Sequence, residues 1–439
     1  MNTGGPGRGL RRRAQALLRD PGTTGLYLFA ATLHGSRSLA VLGCLLMLYP
    51  LLRPGSEARR VLPRLALYHW LLLLAIYALL RAIAAMFASP GEAMVHGDDA
   101  LRFVWWVGVL PVAWHLGGDP RRVLRVLAVA LAGFVLARLW QIPGALWPLP
   151  AEPAQLRTGL GLEPIALGYY AGCALLGLLL FLPRLLRRAD AARPRAVPVL
   201  LTGALLLFLA QCVLWSQSRG AWLSLLPCLA IALAWLLRHG ATAPLGRLVA
   251  VAGLLALAVL LVANRDMLQQ RLVDEQRTLQ LLAQGRFDGI ASGSDAGHNF
   301  SIGTRVNMLR AGLAAAARAP LFGSGPAAPR LLLAQHRDPI LQRWNDFHNA
   351  PVDLLVRFGA VGLLLVTGGA VTTAAYAGGA AARRAYPADL RLFLALSLAL
   401  LVLSSLSNFR LLNHDWRFWL FLVAGAAASP RLTALRQRA

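Results

Sequence analysis

Apolar residues in this chain run together in blocks of roughly 16 to 28 positions, separated by short polar connections, which is the pattern of bilayer-spanning helices rather than of strands or amphipathic surface helices. The blocks predict an all-α polytopic membrane protein with about twelve spans. They fall near 22–33, 37–52, 64–88, 101–116, 123–142, 164–182, 198–216, 221–237, 248–263, 351–376, 392–408 and 416–428. The stretch from Gly25 to Leu52 is long enough for one tilted helix. However, Arg8, Arg11, Arg12, Arg13 and Arg19 precede it, and Arg53, Arg59 and Arg60 follow it. Basic short loops stay on the cytoplasmic side, so two crossings are expected, joined by a tight turn at His34 to Ser36.

Composition narrows the class. The chain is 57% apolar and 14% charged, against about 45–50% and about 25% for soluble domains, which excludes a soluble enzyme, a disordered chain and a disulfide scaffold. The net charge of +25 comes from 44 basic residues, all of them Arg, against 19 acidic ones. On a soluble protein that excess would point to nucleic acid. Here the arginines lie mostly between apolar blocks, where they set orientation, and no nucleic-acid partner is expected. Cys44, Cys173, Cys212 and Cys228 lie inside apolar blocks with no CxxC spacing and read as small helix residues.

Alternate crossings place Arg121, Arg122, the run Arg184 to Arg195, Arg238, Arg247, Arg383, Arg384, Arg391 and the tail arginines on the cytoplasmic side, with both termini. The N-terminal tail shows no small-residue cleavage site and is expected to be retained. The acidic segment 90–100 faces the other way. One connection is long: residues 264–350, on the outer side, divide the chain into spans 1–263, a loop domain, and spans with a tail at 351–439. Loops of this length usually carry function. Two stretches in it look helical, DMLQQRLVDEQRTLQLLAQG and TRVNMLRAGLAAAARAP, the second with Thr304 as a possible cap and Pro320 as its stop. The Gly/Ser-rich GIASGSDAGHNFSIG between them is expected to be mobile.

Four polar constellations fall on the outer side. Ser216-Gln217-Ser218-Arg219-Gly220 is a polar turn between two apolar helices. Its Arg either snorkels to headgroups or offers a planar fork to a phosphate. Arg305 opens the Ala-rich helix, and Gly323 and Gly325 follow in PLFGSGP, where glycines beside a helix expose N–H groups to an anion or simply turn the chain. His348 and Asn349 stand where the long loop re-enters the membrane, beside Asp346; an imidazole there is a structural residue or a general base. The last outer loop carries Arg410 and His414, either as interface anchors or as part of the same site. There is no HExxH motif, no Cys/His cluster and no outer DxD pair, so a metal has little support.

SQSRGAW (216–222), TRVNML with PLFGSGP (304–326) and HNAPVDLLVRFGAVGL (348–363) together resemble the O-antigen ligase family, in the superfamily that also holds O-antigen polymerases and protein O-oligosaccharyltransferases. The motifs cover the second half of the chain; the first half matches in hydropathy only. The resemblance implies a GT-C-like glycosyltransferase of the Gram-negative inner membrane with a periplasmic site and no metal or other cofactor. Its donor would be a glycan on undecaprenyl diphosphate and its acceptor lipid A-core. It assigns His348 as the catalytic base and Arg219 and Arg305 as the essential arginines. Arg265, just past the ninth span, is a candidate by position alone, and Gln217, Ser218, Gly323, Gly325, Asn349, Arg410 and His414 are candidate substrate contacts. A base at His348 would deprotonate a sugar hydroxyl, worth about 10²- to 10⁴-fold, and the arginines would meet the charge building on the leaving pyrophosphate. Single displacement inverts the anomeric centre. A transporter is the rival from another class. It predicts charges buried mid-span, for which Arg81, Arg138 and His69 are the candidates.

Overall fold

The computed structural model describes residues 20–146, 157–187, 196–240, 261–273, 276–285 and 301–438. Among these residues every regular element is helical. The principal helices are α1 (Pro21–Thr32), α2 (Arg37–Leu52), α3 (Ala66–Ala88), α4 (Ala93–Val104), α5 (Val109–Leu116), α6 (Pro120–Leu146) and α7 (Pro164–Arg187). They continue as α8 (Ala196–Trp215), α9 (Arg219–Gly240), α10 (Ser301–Arg318), α11 (Ala350–Gly378), α12 (Ala388–Ser405) and α13 (His414–Arg436).

Among the described residues seven helices are long and apolar enough to cross a membrane, or eight if α2 and the segment Glu57–Arg64, bent by 81°, form one broken span. Twelve were expected, and the shortfall has local causes. Most of the ninth expected span, 248–260, lies outside the described residues, as do the expected mobile segment's residues 289–300. The block 101–116 is not one helix: a 3-10 turn at Trp105–Gly108 separates α4 from α5. For α8 only Leu200–Trp215 is fully described, which is shorter than a counted span. α1 and α2 are the two short helices expected for the first block, with a turn at 33–35 and Ser36 as the α2 cap. They pack closely because both carry glycine at the contact. A Cβ on Gly25 would lie 2.6 Å from the Gly43 carbonyl oxygen, and one on Gly43 would lie 2.8 Å from that of Gly25.

α13 is the central post. Phe421, Leu422 and Val423 are wholly buried, and α13 packs against α5, α11 and α12. The polar segments sort to two ends of this bundle. At one end Arg436 pairs with Glu57 at 2.8 Å, the Ser429 hydroxyl accepts the Gly118 N–H at 2.6 Å, and Arg184 makes a bidentate pair with Asp389 at 2.7 and 2.9 Å. This is the basic end. At the other, Thr158 N–H donates to the Trp215 carbonyl at 3.2 Å, and Asn349 donates to that of Leu406 at 2.9 Å. All four polar constellations lie at or near this second end.

One distortion shapes that end. α11 is kinked at Gly359 (φ 64°, ψ −165°), a conformation costly for any residue with a Cβ. The kink opens the helix ladder, and the loop segment Pro320–Gly325 closes it. Ala360 and Val361 donate to the carbonyls of Pro320 and Leu321 at 2.8 and 3.2 Å. In return Ser324 and Gly325 donate to those of Val356 and Arg357 at 2.8 and 3.0 Å. Buried backbone groups need partners, and each side supplies the other's.

Candidate functional site

The turn that enters α11 holds His348. Asn349 caps the helix, its side-chain oxygen accepting the Val352 N–H at 3.1 Å, and Pro351 fixes the first turn. His348 takes up a left-handed backbone (φ 53°), a strain of about 1–3 kcal/mol for a residue with a Cβ. Asp346 holds it there. One carboxylate oxygen accepts both the His348 backbone N–H at 2.9 Å and its ring Nδ1–H at 2.7 Å. A carboxylate only accepts, so the proton sits on Nδ1 and Nε2 carries the free lone pair. The Trp344 ring meets the imidazole edge-on at 4.5 Å between centroids. The His348 side chain is 13% exposed.

Directly behind this turn is a buried charge cluster. The Asp353 carboxylate accepts the Phe347 N–H at 3.0 Å and pairs with Arg357, which is only 1% exposed. Arg357 also pairs with Asp99 of α4 at 2.8 Å, donates to the Pro326 carbonyl, and lies 4.8 Å from the Phe409 ring centre. α4, the PLFGSGP segment and the last outer loop therefore all meet on one guanidinium.

Arg219 opens α9. Ser218 caps that helix through its hydroxyl, which accepts the Ala221 N–H at 3.3 Å, and Ser216 does the same for the Ser218 N–H at 3.2 Å. Gln217 between them has positive φ (44°), so the turn folds back sharply and puts Arg219 at its rim. Ser218 and Gln217 are thus buried shapers of the turn. The α9 start lies against the last outer loop, since a Cβ on Gly220 would lie 2.5 Å from the Ser407 hydroxyl. The neighbouring Leu406 carbonyl is the one that Asn349 binds. The segment 406–408 therefore bridges the Arg219 turn to the His348 turn.

Arg305 reaches the same region on α10. Positions 305, 308 and 312 share one helix face. Met308 is buried in a cluster with Phe347 and Val352, and a Cβ on Gly312 would lie 2.5 Å from Val352. Arg305 stands one turn further toward the α10 start, half-buried.

The remaining candidates are placed differently. Gly323 and Gly325 pack on α11 and α3–α4, and their N–H groups are bound to the carbonyls of Ala319 and Arg357. Their work here is closure of the kink. Arg410 pairs with Asp415 at 2.7 Å and with Glu163, which ties the last outer loop to the start of α7. His414 opens α13 with its ring against Phe418. Arg265 lies exposed on the helix Arg265–Val273, paired with Asp266 at 3.3 Å. Of the transporter candidates, Arg81 donates to the Gly323 carbonyl at 2.8 Å and Arg138 to those of His34 and Leu160. His69 bonds that of Pro63 at 2.7 Å. Each serves loop backbone at a helix end.

Asp346 was legible in sequence only as a carboxylate near the His; its D-x-H spacing is the signal for the Nδ1 contact. The Arg357–Asp99 pair, 258 positions apart, left no local signal.

With this geometry in place, the comparisons define a class. A family model described as O-antigen ligase matches residues 203–367, a segment containing Arg219, Arg305, His348 and Gly359. The match supports the O-antigen ligase/polymerase superfamily, a group consistent with glycosyltransferase chemistry on lipid-linked glycans in a multi-pass membrane protein. No curated protein matches the chain at a significant level.

Proposed function

We propose that the chain is an O-antigen ligase of the Gram-negative inner membrane. It transfers a glycan from undecaprenyl diphosphate to a sugar of lipid A-core at the periplasmic face, without metal and with inversion. The observation that carries the reading is the His348 turn: a strained imidazole with its Nδ1 proton fixed by Asp346, bridged through 406–408 to the Arg219 turn. Nε2 would accept the proton of the acceptor hydroxyl as that oxygen attacks the anomeric carbon. The bond from that carbon to the pyrophosphate oxygen breaks, and Arg219 and Arg305 stabilise the negative charge left on the departing diphosphate. Asp346 stabilises the imidazolium formed in the step. Both substrates are lipid-anchored, which suits a site at the end of a helix bundle. Arg265, Asn349, Arg410 and His414 are proposed to line the substrate path.

The test is glycan transfer by purified protein in detergent with EDTA, from an undecaprenyl-diphosphate glycan to lipid A-core, comparing native protein with His348→Ala. Transfer lost in the variant is the expected result. Extension of the glycan on its lipid carrier with no transfer to lipid A-core would assign the chain to the polymerases. Full transfer by the variant would remove His348 from the chemistry.

A further inference from the structure

A large groove among the described residues lies away from the His348 turn. It has a volume of about 1310 Å³ and runs between α1, α6 and α7, with Arg121 and Arg125 at one end and the rings of His34, Phe134, Tyr170 and Trp419 at the other. This exceeds the ~300–1,000 Å³ usual for small-molecule pockets. Its length follows from α6: thirteen residues separate Arg121 from Phe134, about 20 Å at 1.5 Å per residue. One leaflet of a ~30 Å hydrocarbon core is about 15 Å deep, so whole acyl chains fit inside. Leu124, Leu131, Leu178 and Phe181 line the walls.

The polar groups at the mouth are not equivalent. Asp20 is turned to its own helix, accepting the N–H groups of Gly22 and Thr23. Arg184 is held by Asp389 through Nε and Nη2. The exposed Arg125 side chain donates through Nε to the Arg121 carbonyl at 3.2 Å and has one distant carboxylate, Asp119 at 3.9 Å, and the Arg121 side chain shows no ion pair among the described residues. These two, one helical turn apart on α6, are left to face whatever enters the groove. They lie at the basic end of the bundle, where anionic headgroups gather against cytoplasmic Arg.

We propose that this groove binds an anionic glycerophospholipid, its phosphate between Arg121 and Arg125 and its acyl chains along α6 and α7 toward the aromatic floor. The inference needs the membrane setting but not the ligase reading. It also gives the groove a consequence at the other end of the bundle: Tyr170, part of the floor, donates to Asp415 at 3.0 Å, and Asp415 pairs with Arg410 of the last outer loop.

The test uses the full chain, delipidated in detergent and melted with added phosphatidylglycerol or with phosphatidylcholine of the same acyl chains. Phosphatidylglycerol is expected to raise Tm by at least about 2 °C more than phosphatidylcholine, and Arg121→Gln/Arg125→Gln is expected to abolish the difference. Equal effects of the two lipids on native protein, or a preference surviving in the double variant, would overturn the proposal. If the double variant does not fold, native mass spectrometry of the wild-type chain decides. Retention of phosphatidylglycerol over phosphatidylcholine supports the site, and retention of neither, or of both equally, refutes it. Stronger stabilisation by a long polyprenyl phosphate than by phosphatidylglycerol would also refute it and give the groove to a polyprenyl lipid instead.

Discussion

Two polar clusters sit nine residues apart in sequence at the head of α11, and they are built on opposite principles. Around Arg357, two carboxylates, a carbonyl and an aromatic face surround one buried guanidinium and hold it through Nε and Nη1. Around His348, one carboxylate binds one ring nitrogen and the other nitrogen is left over. A buried cluster of several charged partners fixes geometry, because moving any member leaves a charge uncompensated. A cluster with one unused lone pair on a strained, partly exposed residue has a place to take up a proton, as the proposed base requires. In this arrangement the first is the support for the second: Asp353 grips the Phe347 N–H on one side and Arg357 on the other.

The sharpest way to break the comparison is at its two centres. His348→Ala is expected to lower turnover by about 10²- to 10⁴-fold while leaving Tm near the native value, since a partly exposed ring and one hydrogen bond are lost. A turnover within twofold of native would sink the base assignment. Arg357→Met should behave in the reverse way, leaving Asp353 buried without a counter-charge and Asp99 with only Arg102 at 3.7 Å, and costing about 3–5 kcal/mol of stability. Thermal unfolding in detergent measures it. Because a buried ion triad often exchanges for an uncharged one at little cost, Asp99→Asn/Asp353→Asn/Arg357→Met is expected to recover much of that loss. A triple variant as unstable as the single one would mean that Arg357 acts through packing rather than charge.

Asp346→Asn sharpens the comparison within the open cluster. The amide no longer demands the proton on Nδ1, so the population with a free Nε2 falls. Turnover is expected to drop about 10- to 100-fold, in line with other outer partners that orient a His, with KM little changed. A rise in KM at constant turnover would instead make Asp346 a substrate contact.

The same contrast explains what could be read from the sequence. The helical class followed from apolar block lengths, and the gathering of the polar turns at one end of the bundle from the alternation of those blocks, properties local to each segment. The turn at 33–36 was legible for the same reason. The role of each arginine was not: Arg219, Arg357 and Arg410 look alike as single letters near helix ends. Distant partners, Asp99 for Arg357 and Glu163 for Arg410, show what those two hold, and no local pattern announces them. Gly323 and Gly325 left two readings open, an anion-binding turn or a plain one, because a lone Gly-x-Gly beside a helix serves either. The kink at Gly359, which uses their segment to close an open ladder, is a tertiary event with no local pattern beyond one glycine. The count of twelve spans is not reproduced among the described residues, where some expected spans are short or broken and most of the ninth lies outside them.

The smallest expected effect concerns the seam between these regions. His96 of α4 is buried, and its Nδ1 accepts the Ala327 N–H at 3.2 Å, just past PLFGSGP. Burial holds its pKa below the ordinary 6.5, with the charges of Arg357 and Arg81 acting in the same direction and Glu92 and Asp99 opposing. A depressed folded-state pKa means that the neutral form is favoured by folding. The stability it contributes is therefore present above pH 6.5 and is lost as pH falls below that value toward the folded pKa. Protonation also removes the lone pair that Ala327 uses. Asn at this position keeps an acceptor and does not titrate, so between pH 7 and pH 5 the Tm of native protein is expected to fall more steeply than that of His96→Asn. Parallel slopes would show that the seam between α4 and the α11 kink is held by packing and that His96 contributes no pH dependence to it.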